Sequence, residues 1–142
     1  VASVIVAIFV AAHQVRKYRR QRENELTEMR RRASVERASF WLELRKMFGE
    51  YETVHLKLRN GKWPENPSAQ QWAELEAYMG LFEHCKAMLN DELLDSETFK
   101  NIYGYRVRNL LAYPNIRQKL ERNRPSWKLL WALIDQLKIE ES

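Results

Sequence analysis

A single cysteine, Cys85, stands among 142 residues, so no internal disulfide can form and no site built from several thiolates is available. Glycine and proline are scarce, four of each, which excludes the turn-rich patterning of an all-β fold and any low-complexity linker of length. The four glycines, Gly49, Gly61, Gly80 and Gly104, are too dispersed to make a phosphate loop or a dinucleotide fingerprint, and neither HExxH nor CxxC occurs. The three histidines, His13, His55 and His84, include no pair four apart, so a helix-borne metal site is not expected. Nothing in these absences points to an enzyme, and no catalytic residue, cofactor or metal is expected.

Apolar residues make up 45% of the chain and aromatics 11%, enough to furnish one ordinary core plus a short appendage. The net charge of +5 has a narrow origin. Residues 13–37 hold nine Lys/Arg against four Glu, and everything after residue 37 balances at 15 basic to 15 acidic. A local patch of this kind suggests lipid more than nucleic acid, because a nucleic-acid footprint would compete with headgroup phosphates for the same arginines.

Residues 1–12, VASVIVAIFVAA, are apolar on every helical face except at Ser3 and lack the polar side that an interfacial helix needs. Twelve residues at 1.5 Å each reach about 18 Å against a hydrocarbon core of about 30 Å. The expectation is therefore a transmembrane anchor over residues 1–15, truncated at its start, with a cleaved signal peptide as the alternative. The basic cluster that follows suits anionic headgroups, with Arg16, Lys17, Arg19, Arg20 and Arg22 as the lipid contacts of a basic juxtamembrane helix over 16–34. The positive-inside rule then places the N-terminus outside, the chain once across the inner membrane, and a helical domain over 35–139 in the cytoplasm.

Within that domain apolar residues recur at helical spacing. Ala38, Trp41, Leu44, Phe48, Tyr51, Val54 and Leu58 form one stripe, closed by Asn60-Gly61. Ser68 and Gln71 match a capping box that opens a second helix carrying Trp72, Leu75, Met79, Phe82 and Leu89. Asp95 or Ser96 caps a third, with Phe99, Ile102, Tyr103, Val107, Leu110 and Leu111, ended by Pro114. A short helix from Asn115 and a last one carrying Trp127, Leu130, Trp131, Ile134 and Leu137 complete the set. The fold class predicted is all-α: an N-terminal transmembrane helix followed by an antiparallel bundle of about five helices.

The order of these features, with the phrases FEHCKAMLNDELLD, SETFKNIYGYRVRNLL and RPSWKLLWALIDQL, resembles a family of small bacterial and phage membrane-anchored helical proteins described as a domain of unknown function. The resemblance spans most of residues 35–138. It implies a helical fold with an anchor and supplies no catalytic residue.

Consecutive Glu83, His84 and Cys85 cannot converge on one atom, because helix neighbours point about 100° apart. Cys85 reads as a core thiol and His55 as a hydrogen-bonded core histidine. Asp91, Glu92, Asp95 and Glu97 read as helix-terminal compensation. Of the five tryptophans, Trp63 alone lies in a loop, flanked by Pro64 and Pro67, and these three are the candidate contacts for a protein partner. The function expected is a non-catalytic, membrane-anchored accessory or adaptor subunit binding a protein partner. The alternative is a self-assembling sensor or effector in a stress or phage response, with homo-oligomerisation.

Overall fold

A computed structural model describes residues 2–139. Among them are six α-helices, one 3-10 turn and no strand: α1 Ala2–Glu50, α2 Glu52–Arg59, α3 Ala69–Asn90, α4 Ser96–Leu111, α5 Pro114–Arg122, the 3-10 turn Arg124–Trp127, and α6 Lys128–Gln136. The residues fall into two units, 1–39 and 40–142.

The expected transmembrane helix is corrected by this geometry. Among the described residues no helix is long and apolar enough to cross a membrane. The apolar run ends at Ala12 while the helix continues, and eighteen residues counted from Ala2 already take in Arg16, Lys17 and Arg19. With the span goes the single-pass inner-membrane placement that was derived from it, N-terminus outside and helical domain in the cytoplasm. Val1 lies outside the described residues.

The first unit is helix alone and buries no side chain of its own; the buried residues of α1, Leu44 and Phe48, both belong to the second unit. Its surface carries short-range ties, Arg31 to Glu28 at 2.6 Å and Arg32 to Glu28 at 3.3 Å. The Arg31 contact, ahead of that from Arg32, holds the Glu28 carboxyl below its usual range.

The second unit encloses one continuous core from Leu44 to Ile139. The stripe expected as one helix over 35–58 is broken at Tyr51, whose φ of −107° and ψ of 19° separate α1 from α2. The break lets Phe48 on one helix and Val54, His55 and Leu58 on the next face the same interior. Phe48 stacks on Tyr103 of α4 at 4.1 Å and meets Phe82 and Tyr78 of α3 edge-on at 5.4 and 6.5 Å. Offset and edge-to-face pairs of this kind add to plain burial because ring edges are positive and ring faces negative.

Helix starts follow local chemistry. Gln71 N donates to Ser68 Oγ at 3.1 Å while Ser68 N donates to Gln71 Oε1 at 2.8 Å, a complete capping box for α3. Asp95 Oδ2 accepts from Thr98 N at 2.9 Å and caps α4. α6 has a cap from another helix: Glu83 Oε2 of α3 accepts from Leu129 N and Leu130 N at 3.1 and 3.2 Å, answering two of the amides that a helix start leaves unpaired. α4 ends at Leu111, ahead of Pro114, and Pro114 itself occupies the first turn of α5, where its missing N–H costs nothing. The end of α2 uses the left-handed region. Gly61, at φ 69°, follows α2, and Lys62 N donates back to Lys57 O at 2.8 Å.

Two glycines therefore respond oppositely to a methyl group. Gly61→Ala is expected to lower unfolding free energy by about 1 kcal/mol, since an L side chain is strained at that φ. Gly80→Ala, exposed within α3 with nothing within 4 Å of the added carbon, is expected to raise it by about 0.5–1 kcal/mol. Urea denaturation of the two variants against the parent chain checks both signs.

Candidate functional site

The Trp63 loop lies against the start of α5. Asn115 Nδ2 donates to Pro64 O at 2.9 Å and to Glu65 O at 3.2 Å, and Tyr113 Oη donates to Leu58 O at 2.6 Å. These bonds fix the loop against the α4–α5 junction and shape a cleft of about 280 Å³ lined by Trp63, Pro64, Glu65, Tyr113, Pro114, Asn115 and Gln118. Trp63 is only 6% exposed, its ring edge-on to Trp72 at 5.6 Å, so the indole is a wall of the core and not a protruding contact. Pro64 and Pro67 are half-buried. Trp63 Nε1 and Asn115 Oδ1 are buried without a hydrogen-bond partner. The opposite wall, Tyr113 to Gln118, was not anticipated from sequence; a side-chain amide placed just after a proline, able to tie a distant loop, was its only signal.

A second cluster surrounds Arg106 of α4. Its guanidinium carbon lies 5.1 Å from the centre of the Phe48 ring, 5.7 Å from Tyr103 and 6.0 Å from Tyr105, while Nη2 reaches Glu52 Oε2 only at 3.8 Å. The side chain is 12% exposed, and Nε and Nη1 have no hydrogen-bond partner of ordinary geometry. The Tyr78 hydroxyl, buried on α3, is pushed up to about 12 mainly by desolvation, with Arg106 opposing the rise. Aromatic faces thus hold a charge that a single distant carboxylate would satisfy poorly.

His55 adjoins this cluster. It is 2% exposed, its Nε2 stands 3.5 Å from Tyr105 Oη, and its Nδ1 is unpartnered. Burial first, then the Arg106 charge, lowers its pKa, with Glu52 acting the other way.

The side chains singled out as a superficial triad separate as the helix geometry requires. Glu83 serves the start of α6, His84 is exposed, and Cys85 is buried, its thiol pushed up to about 12 by burial and hence protonated. Asp95 caps α4, and Asp91 stands at the end of α3. Among the described residues no three His, Cys, Asp or Glu side chains gather as a metal site.

The basic residues Arg16, Lys17, Arg19, Arg20 and Arg22 are exposed, and at 100° per residue they spread over about 220° of the helix circumference instead of forming one narrow basic face. With no span above them, the bilayer that gave them their role as a collar is not part of the described structure. Around them the same helix leaves large apolar groups in solvent: Val4, Ile5, Val6, Ile8, Phe9, Val10, Val15, Tyr18, Leu26 and Met29.

No protein-family model, curated protein or solved structure matches the chain.

The His55 shift has a testable consequence. An imidazole with a lowered folded pKa binds its proton more weakly in the native than in the unfolded state. Unfolding free energy should therefore be full above about pH 6.5, the unfolded value, and fall as the pH drops below it. His55→Gln should flatten that decline in pH-resolved urea melts; an unchanged slope would assign it to other groups.

Proposed function

We propose that the chain is a non-catalytic adaptor or accessory subunit, attached to its protein assembly through the helix of residues 2–39. One observation carries this reading: that segment has no core of its own and exposes Val15, Tyr18, Leu26 and Met29 among charged neighbours, while residues 40–139 bury a complete core without it. An exposed apolar series rimmed by polar residues is the mark of a surface that another chain covers. Isolated helices are also marginal in water, and solvent-exposed pairs such as those of Glu28 add little. Association supplies what local propensity lacks.

The reactive groups of the bundle are committed elsewhere, which favours binding over chemistry. Cys85 is buried and protonated, Glu83 holds the α6 start, and Asp95 holds the α4 start. The bundle then serves as a rigid head, and the cleft between the Trp63 loop and α5 is a concave feature on it.

The test is cross-linking in cells of the full chain against a triple variant, Val15→Asn, Leu26→Asn and Met29→Asn. The parent chain should give a discrete cross-linked protein species that the variant loses, while the thermal unfolding of the bundle is retained. An identical pattern from both chains, or the parent recovered uncross-linked throughout, would overturn the proposal.

A further inference from the structure

Three series of residues eleven apart run along the first unit, apolar but for Arg22: Val4, Val15 and Leu26; Ala11, Arg22 and Ala33; Tyr18 and Met29. At 100° per residue these eight side chains lie within about 40° of one line along the helix. Eleven residues in three turns is about 3.67 per turn, so the stripe stays in line over the whole unit with a slight right-handed drift. Val15, Tyr18, Leu26 and Met29 on it are 51%, 61%, 45% and 65% exposed.

The stripe is symmetric about Arg22. Counting back from that residue, Tyr18, Val15 and Ala11 lie four, seven and eleven positions away; counting forward, Leu26, Met29 and Ala33 lie at the same intervals. Reversing the helix about Arg22 therefore reproduces its own apolar face from Ala11 to Ala33. The charges behave in the opposite sense. Residues 16–22 carry five basic side chains and no acid, whereas residues 23–28 carry Glu23, Glu25 and Glu28 and no base. A helix laid antiparallel on its copy with Arg22 at the centre places the basic run of each beside the acidic run of the other. A parallel pair in register would set five positive charges beside five at an interaxial distance of about 8–10 Å, no more than about a Debye length.

We infer that this face is covered by a second copy of the same helix, antiparallel, with the two-fold axis at Arg22. The inference rests on the reading of residues 2–39 as an association surface and names its occupant. Val15 comes level with Met29 of the second copy, Tyr18 with Leu26, and small Ala11 with small Ala33, where the backbones can approach. Arg22 meets its equivalent at the axis and, between Ala11 and Ala33, is the one stripe position that opposes pairing; its Nη1 lies 3.3 Å from Tyr18 Oη, along the helix and away from that axis.

The experiment uses the purified full chain alone. Sedimentation at up to about 100 μM should return twice the 17.1 kDa chain mass. Leu26→Glu with Met29→Glu should return the single-chain mass with the bundle's melting preserved, and Arg22→Leu should tighten dissociation by at least about tenfold. A spin label at Ala11→Cys, where buried Cys85 does not compete for the reagent, fixes direction: about 33 Å between labels for antiparallel copies, against about 10 Å for parallel ones. A single-chain mass at every concentration, an unchanged mass in the double variant, or the short label distance would overturn the inference. A monomer whose cellular cross-link still depends on the stripe, or which floats with anionic vesicles, would assign the face to a different occupant. In the cross-linking case the broader adaptor reading survives.

Discussion

Phe48 is the point on which the folded bundle depends. It is the last large apolar residue before the helix break, and its ring is shared by α3, through Phe82 and Tyr78, and by α4, through Tyr103. Arg106 closes the group from the side, its guanidinium 5.1 Å from the ring centre. A guanidinium is weakly hydrated and planar, so it tolerates loss of water against a ring face better than an ammonium would. The arrangement leaves several polar atoms without partners: Tyr78 Oη, Arg106 Nε and Nη1, and His55 Nδ1. Burying polar groups with so few partners is unfavourable, and the aromatic packing around Phe48 offsets it. Apolar stabilisation and polar desolvation therefore meet at the same place.

From that centre the remaining helices are secured by polar ties between segments far apart in sequence. Glu83 at the start of α6, Tyr113 on the Leu58 carbonyl, Asn115 on the Trp63 loop and Lys119 between Glu76 and the Trp72 ring each join two elements that hydrophobic burial alone would bring near without fixing their register. Burial is non-directional, and these contacts are not. The cleft beside Trp63 owes its shape to them.

Most helix limits were legible because they are written in short-range chemistry. The Ser68–Gln71 capping box, the Asp95 cap and the Asn60-Gly61 stop act within four residues, and each lies where the residue types require. What was not legible depends on partners distant in the chain. Arg106 falls on the α4 stripe by spacing, three after Tyr103 and four before Leu110, but counting apolar residues passes over a charge, and only the rings of Phe48, Tyr103 and Tyr105 reveal that it is enclosed. Ile102, read as part of the α4 stripe, is 47% exposed, while Gly104, ignored by hydrophobic counting, is buried. The break at Tyr51 was hidden because the apolar spacing continues through it. The membrane span failed for a simpler reason: twelve apolar residues were extended by assumption, and the described helix turns charged before eighteen are reached. The eleven-residue recurrence was present in the same stretch but was obscured by Arg22, a charge standing on an apolar line.

That arginine is also what gives the proposed pairing its specificity. An uninterrupted apolar stripe from Val4 to Ala33 would associate in either direction and at several registers, because each shift by eleven residues, or by three or four, superposes similar side chains. A charged group on the line is tolerated only where it can lean past its own helix into solvent or toward a carboxylate, and here the flanking Glu23 and Glu25 stand within one turn. Shifting the register would move Arg22 opposite Val15, Leu26 or Met29 and bury its charge against hydrocarbon. Between Ala11 and Ala33, centring the pair on Arg22 confines the unfavourable contact to one level and leaves the other levels of the stripe apolar against apolar. A single polar residue on a helical seam thus weakens the pair while selecting one geometry, the same trade by which a buried polar position fixes partner and orientation in coiled coils generally.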